Sequence, residues 1–166
     1  TLSYGTIEER STIVFAESLS NASEYAEEIT LSTSLTTAET SDFNQTKTSW
    51  TVTYVDSNSQ TQTLSVDSNG KFTLPAGVTS FNVNIPTTSD TVYEGSETFT
   101  LSANATSSYI TDSDTAVGTI TDDGTGSDGD DSGTTVDNDK PTLTLSDGTI
   151  EEGSTIVFAG SLSNAS

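Results

Sequence analysis

Along most of the chain, apolar residues alternate with serine and threonine. Ile13, Phe15 and Leu19, then Ile29, Leu31 and Leu35, then Trp50, Val52 and Tyr54, then Phe81, Val83 and Ile85 each share one parity. A period of two places one side of each run inward and the other outward, which is the signature of a half-buried strand. The pattern predicts strands over 2–7, 13–19, 29–35, 50–55, 62–66, 71–74, 80–85, 97–103 and 116–121. Turn residues separate them: Asp56-Ser-Asn58, Asp67-Ser-Asn-Gly70, Pro75-Ala-Gly77 and Pro86-Thr-Thr-Ser-Asp90. No helix of useful length is predicted, and the Glu24-Tyr-Ala-Glu-Glu28 patch reads as a turn. Short strands at this spacing predict an all-β chain folded as an antiparallel Ig-like sandwich.

The alternation stops at an acidic run, Thr121-Asp-Asp-Gly-Thr-Gly, and begins again after Pro141. Residues 144–166 then repeat residues 1–23 at an offset of 143, differing only at Tyr4/Asp147, Arg10/Gly153 and Glu17/Gly160. The chain therefore reads as one repeat, 1–123, an acidic Gly/Ser/Asp linker, 124–141, and the first strands of a next repeat, 142–166. Between 124 and 139, Val136 is the only large apolar residue, so this stretch builds no core.

Charge sharpens the picture. Asp and Glu number 25 against 4 Lys and Arg, a formal net charge of −21. A compact fold at that charge works against its own repulsion, which bound cations would relieve. Clustered Lys and Arg, needed to hold phosphates, are missing: Arg10, Lys47, Lys71 and Lys140 are scattered, so nucleic acid is not an expected partner. The chain has no Cys and no His, which removes disulfides, thiolate and imidazole ligands and the commonest general base. Oxygen donors remain, and they suit a hard cation such as calcium. No apolar run approaches the length of a membrane span.

The succession Thr6-Ile-Glu-Glu9, Ser41-Asp-Phe43, Leu74-Pro-Ala-Gly77, Asp90-Thr-Val-Tyr-Glu-Gly-Ser-Glu-Thr-Phe99 and Gly118-Thr-Ile-Thr-Asp-Asp123 resembles the Calx-beta family over residues 1–123. The stretch from Asp90 to Phe99 is close to that family's D-x-x-x-E-G-x-E-x-F signature. Such domains occur in sodium/calcium exchangers, in integrin β4 and, as tandem arrays, in giant bacterial surface adhesins. The resemblance implies that carboxylates converge at the end of the sandwich where the last strand leaves. Carried over residue by residue, they fall on Glu8 or Glu9, on Asp42, on Asp90 and Glu94, and on the terminal pair Asp122 and Asp123. Glu97 is expected on the outward face of a strand.

A second candidate calcium site lies in the linker. Asp128-Gly-Asp-Asp-Ser-Gly133 fits D-x-D-x-S-G, the opening of an EF-hand-like loop, with Asp128 and Asp130 as early ligands and Asp139 at the twelfth position. Asp137 and Asp139, just before Pro141, are also placed to bridge to Glu151 and Glu152 of the next repeat. The competing reading is a hydrated tether.

The stretch 47–70 reads as an inserted hairpin. It is either a binding surface, with Trp50 stacking on a glycan or a protein ligand, or an extension of the sheet in which Trp50, Val52 and Tyr54 point inward. Asparagine sequons at Asn21, Asn44, Asn104 and Asn164 matter only in a eukaryotic host. Nothing singles out a catalytic pair among 25 acids, so no enzymatic activity is expected.

The expectation from residues and resemblance together is a calcium-binding extender repeat of a secreted bacterial cell-surface adhesin, stiffened at its junctions by calcium to project a ligand-binding region. Its partners would be calcium and neighbouring repeats. The alternative is an adhesion module binding a glycan or protein through 47–70. Residues 144–166 supply too few strands to bury their own apolar face, so strand-exchanged copies of the chain are a further expected partner.

Overall fold

The computed structural model describes residues 2–3, 5–9, 11–88, 94–107, 111–121 and 141–163. The alternating runs form strands as the pattern requires: β1 (Gly5–Glu8), β2 (Thr12–Ser18), β3 (Glu27–Leu35), β4 (Thr51–Val55), β5 (Thr61–Ser65), β6 (Lys71–Leu74), β7 (Ser80–Pro86), β8 (Ser96–Thr106) and β9 (Thr111–Thr121). A 3-10 turn, Lys47–Ser49, precedes β4. Two short strands follow, β10 (Leu143–Leu145) and β11 (Gly160–Leu162). By compactness the chain forms two units, and the first, Thr1–Thr88 with Ser96–Thr121, is the sandwich.

The sandwich is an Ig-like pair of sheets, ordered β1-β9-β8-β3-β6 and β2-β7-β4-β5. Pairing is antiparallel except that β1 runs parallel to β9, from Gly5 opposite Gly118 to Glu8 opposite Thr121. The chain then crosses to the other sheet, and Thr87 pins the crossing. Its amide donates to the Ser11 carbonyl at 2.9 Å, and the Ser11 amide donates to its hydroxyl oxygen at 2.9 Å.

Inward positions of the two sheets fill one core. Ile13 and Phe15 of β2, Val83 and Ile85 of β7, Leu31 of β3, Leu101 of β8 and Ile120 of β9 are all buried. Two positions admit nothing but glycine. A Cβ on Gly118 would lie 2.8 Å from both Phe15 and Phe99, and one on Gly70 would lie 2.3 Å from the Leu31 carbonyl oxygen while Gly70 holds φ at +86°. Gly70 closes the Asp67-Ser-Asn-Gly turn, where Asp67 accepts the amides of Asn69 and Lys71 at 2.8 Å each.

β9 and β3 depart from expectation at acidic residues. β9 begins at Thr111 rather than 116, because Asp112, Ser113 and Asp114 pair with Ala105, Asn104 and Ala103 of β8. Backbone pairing, and not side-chain alternation, recruits that polar stretch. β3 begins at Glu27, inside the patch read as a turn, and Glu27 is 1% exposed at the inward parity of Ile29 and Leu31. The hairpin of 47–70 extends the four-stranded sheet through β4 and β5.

The second unit, over 141–163, is a small hairpin in which Leu143 pairs with Leu162 and Leu145 with Gly160. Leu143, Leu145, Ile150, Ile156, Val157, Phe158 and Leu162 are all exposed. Among the described residues no helix is long and apolar enough to cross a membrane.

Candidate cation site

The register of the five-stranded sheet brings the end of β1, the end of β3, the start of β8 and the end of β9 to one edge: Glu8 lies opposite Thr121, Ser96 opposite Thr121, and Leu35 opposite Phe99. The loop leaving β3 is held over the start of β8. The amides of Thr36, Thr37 and Ala38 all donate to the Thr98 carbonyl, at 3.2, 3.0 and 2.9 Å, and the Thr98 amide returns a bond to the Thr37 hydroxyl at 2.8 Å. Ala38 is buried there.

That loop delivers Asp42. Phe43 next to it is 1% exposed, stacks on Phe99 of β8 and bridges Thr87, while the Thr88 amide donates to the Asp42 carbonyl at 2.8 Å. The Thr88 hydroxyl donates to the Ser41 carbonyl. The Asp42 carboxylate is 3% exposed; Oδ2 accepts the Glu39 amide and Oδ1 accepts the Ser41 hydroxyl at 3.0 Å. Asp42 is thus locked on a short loop by its own hydrogen bonds and by an aromatic anchor.

Opposite it stands Glu97. A carboxylate oxygen of Asp42 and one of Glu97 lie within 4.8 Å of each other. Glu97 shares the inward parity of Phe99 and Leu101 and is half-buried, with one carboxylate oxygen shut off from solvent. This corrects the expectation that Glu97 lies on the outward face. The signal was present in the sequence: Glu97 and Phe99 are two apart, so a strand that buries Phe99 must turn Glu97 to the same side.

Two carboxylates of like charge meet here where solvation is poor, and a cation between them would offset their repulsion. Lys71 pairs with Glu28 at 2.6 Å, and Lys47 Nζ donates to the Asn69 carbonyl at 3.5 Å. A pair of carboxylates with nearby backbone carbonyls and hydroxyls is an oxygen-only donor set, suited to a hard divalent ion.

The other expected ligands divide into three groups. Glu9 is 8% exposed at the same end, where its amide donates to the Thr121 carbonyl at 3.0 Å, but its carboxylate is not within 4.8 Å of both Asp42 and Glu97. Glu8 is placed on β1 by its backbone only, and Glu94 is exposed, two residues before β8. Asp90, Asp122, Asp123, Asp128, Asp130, Asp137 and Asp139 lie outside the described residues. Glu151 and Glu152 are exposed in the second unit, where the Ser154 amide donates to the Glu151 carbonyl at 3.4 Å.

Trp50, the candidate aromatic for a glycan or protein ligand, is 0% exposed, and its indole Nε1 donates to the Asn44 carbonyl at 2.7 Å. It is a core residue and offers no face to a ligand. Val52 is likewise buried, and Tyr54 packs on the core from a partly exposed position, so β4 follows the sheet-extension reading.

No protein-family profile matches the chain, and no curated protein matches it. Solved structures similar to it include CBD12 from CALX1.2, at 15% identity, covering 72% of this chain and 42% of that one, with a TM-score of 0.46. The apo form of the Calx CBD1 domain matches at 16% identity over 72% of this chain and 90% of its own, with a TM-score of 0.45. ACE19, the collagen-binding subdomain of the Enterococcus faecalis surface protein ACE, matches at 13% identity over 72% of this chain and 95% of its own, with a TM-score of 0.40. The chain spans less than half the length of CBD12 from CALX1.2.

Proposed function

We propose that the sandwich binds calcium at the end where β9 leaves it, and that the chain serves as a calcium-stiffened spacer repeat of an extracellular, bacterial cell-surface adhesin. One observation carries the reading: carboxylate oxygens of Asp42 and Glu97 approach within 4.8 Å at the end of the sandwich, where Asp42 is 3% exposed. In this reading Asp42 and Glu97 are the first ligands. Glu94, three residues ahead of Glu97, joins them, and the acids of 90 and 122–123 complete the shell. Neutralising these carboxylates relieves part of the repulsion that a net charge of −21 imposes. Because that end of the sandwich is also where the chain enters the acidic stretch, bound calcium restricts the following segment and stiffens a repeat array. The acids of 128, 130, 137 and 139, with Glu151 and Glu152, extend the same role to the junction.

Thermal unfolding of the chain in excess calcium, in magnesium and in chelator tests this. Binding to the folded state raises stability by mass action, about 2.7 kcal/mol at a ligand concentration a hundredfold above Kd. The expected result is a rise of several degrees in Tm that is specific to calcium and absent from Asp42→Asn. Identical melts in all three buffers would overturn the proposal.

A further inference from the structure

Among the described residues the two sheets of the sandwich have four edge strands, and three of them contain a charged residue: β1 has Glu8, β6 has Lys71 and β2 has Glu17. The fourth, β5, reads Thr61-Gln-Thr-Leu-Ser65, inside an uncharged run from Ser57 to Val66 in a chain of net charge −21. Charge, proline and bulges keep a sheet edge from pairing with another chain, and β5 has none of them. Its two ends are held by their own turns. Asp56 Oδ1 accepts the amides of Asn58 and Gln60, and its Oδ2 accepts Gln62 Nε2, all at 2.9 Å. Asp67 closes the other end through the amides of Asn69 and Lys71. The Asp56 amide donates to the Gln60 carbonyl at 2.9 Å, which sets the phase of the β4–β5 ladder. Gln62 and Leu64 exchange hydrogen bonds with Tyr54 and Val52, and Thr61, Thr63 and Ser65 turn their amides and carbonyls away from β4. Those three residues are exposed, and no described strand lies against that side. The outward positions of the whole four-stranded sheet, from Val14 on β2 through Asn82 and Thr53 to Thr63, hold no charged residue.

We infer that β5 pairs antiparallel with β5 of a second copy about a two-fold axis at Thr63. Thr63 then faces Thr63, and Thr61 faces Ser65 on either side of it. These are the residues whose backbone groups point outward, so they meet as hydrogen-bonded pairs, two bonds at each of the three pairs and about six in all. Threonine and serine side chains face each other across the seam, a favourable match between antiparallel strands. Continued past the strand ends, the register sets Asp67 opposite Ser59 and Asp56 opposite Gly70, so no acid faces an acid. A second copy is the fitting occupant because the edge is complementary to itself, and because two chains at −21 approach with least repulsion where both are neutral. The two four-stranded sheets become one of eight strands. The axis reverses the partner, so arrays of such repeats running antiparallel are joined side by side with added avidity. That last step rests on the proposed spacer role, and the pairing itself does not.

Sedimentation equilibrium of the full chain over a range of concentrations, at low salt and in about 1 M sodium chloride, tests this, with calcium and with chelator. A reversible dimer is expected with either, tighter at the higher salt, where the Debye length is about 3 Å and the like net charges are screened. A dimer in chelator separates the contact from the cation site, whose failure would leave it standing. Thr63→Pro removes a backbone donor that β4 does not use, and Thr63→Asp sets an acid against its own copy at the centre of the seam. Each is expected to weaken the dimer at least about tenfold. Strand content and Tm of the monomer should stay nearly unchanged, because Thr63 is exposed on an edge. Thr73→Asp, an exposed position on β6, is the control and should leave the dimer intact. A chain that stays monomeric at the higher salt overturns the inference and leaves the edge to an extended segment of a different protein. Dimers that persist in both Thr63 variants, or that Thr73→Asp weakens equally, overturn it as well.

Discussion

The ring of Phe43 stacks on that of Phe99, with centroids 4.2 Å apart and planes 20° from parallel, and each ring carries an acid of the candidate site beside it in sequence. Asp42 precedes Phe43 directly, and Glu97 lies two residues before Phe99 on the same side of β8. The aromatic pair fixes the spacing of the carboxylates, since side chains buried in a close-packed core have little freedom to drift. Truncating Phe43 to Ala is expected to cost about 3–5 kcal/mol in urea unfolding, as for other large-to-small core changes. It should also weaken the calcium response more than a core truncation at the far end of the sandwich, such as Phe81→Ala, does.

Glu97→Gln separates the two roles of the acid pair. At 4.8 Å, removing one of two like charges relieves about 1–3 kcal/mol of repulsion for an effective dielectric between that of water and that of a protein surface. Without divalent ions, therefore, Glu97→Gln is expected to melt above the unaltered chain. In saturating calcium it should melt below it. Paired melts in chelator and calcium read this crossover directly, and a variant that shifts the same way in both buffers contradicts it.

Trp50 reports on the core and not on ligands. With its ring fully buried and its indole N–H on the Asn44 carbonyl, its fluorescence is expected to be blue-shifted, poorly quenched by iodide and unchanged by added sugars. Trp50→Phe leaves that carbonyl without its donor, a loss of about 1–3 kcal/mol measurable by urea titration.

Asp114 links stability to pH. The Leu2 amide, at 2.8 Å, and then the Thr115 amide, at 2.8 Å, hold its carboxyl below the ordinary aspartate value of 3.8. A depressed folded-state pKa contributes stability that is present above the unfolded value and lost as pH falls through the folded one. Tm is therefore expected to drop as pH is lowered below about 4, and Asp114→Asn should flatten that part of the profile. A profile of unchanged slope in the variant would remove Asp114 from the account.

The strands were legible because alternation is a local property that burial on one face imposes. Each expected strand lies over an observed one, and 71–74 matches β6 end for end. What misled was polarity: Asp112 to Asp114 looks like a loop yet is recruited by β8, and Glu27 looks like part of a turn yet faces inward. Of the candidate site, Asp42 was legible from its motif. Glu97 was misplaced because its charge outweighed its parity with Phe99.

The sequence by itself determined the period-two strands, the oxygen-only donor chemistry that follows from having no Cys or His, and the duplication of residues 1–23 at 144–166. Only the tertiary structure decided that Asp42 and Glu97 meet and that Trp50 is core. The reason is that burial and pairing join residues far apart in the chain. A carboxylate becomes a ligand, and a hairpin becomes a core element, through the neighbours that the fold brings to it.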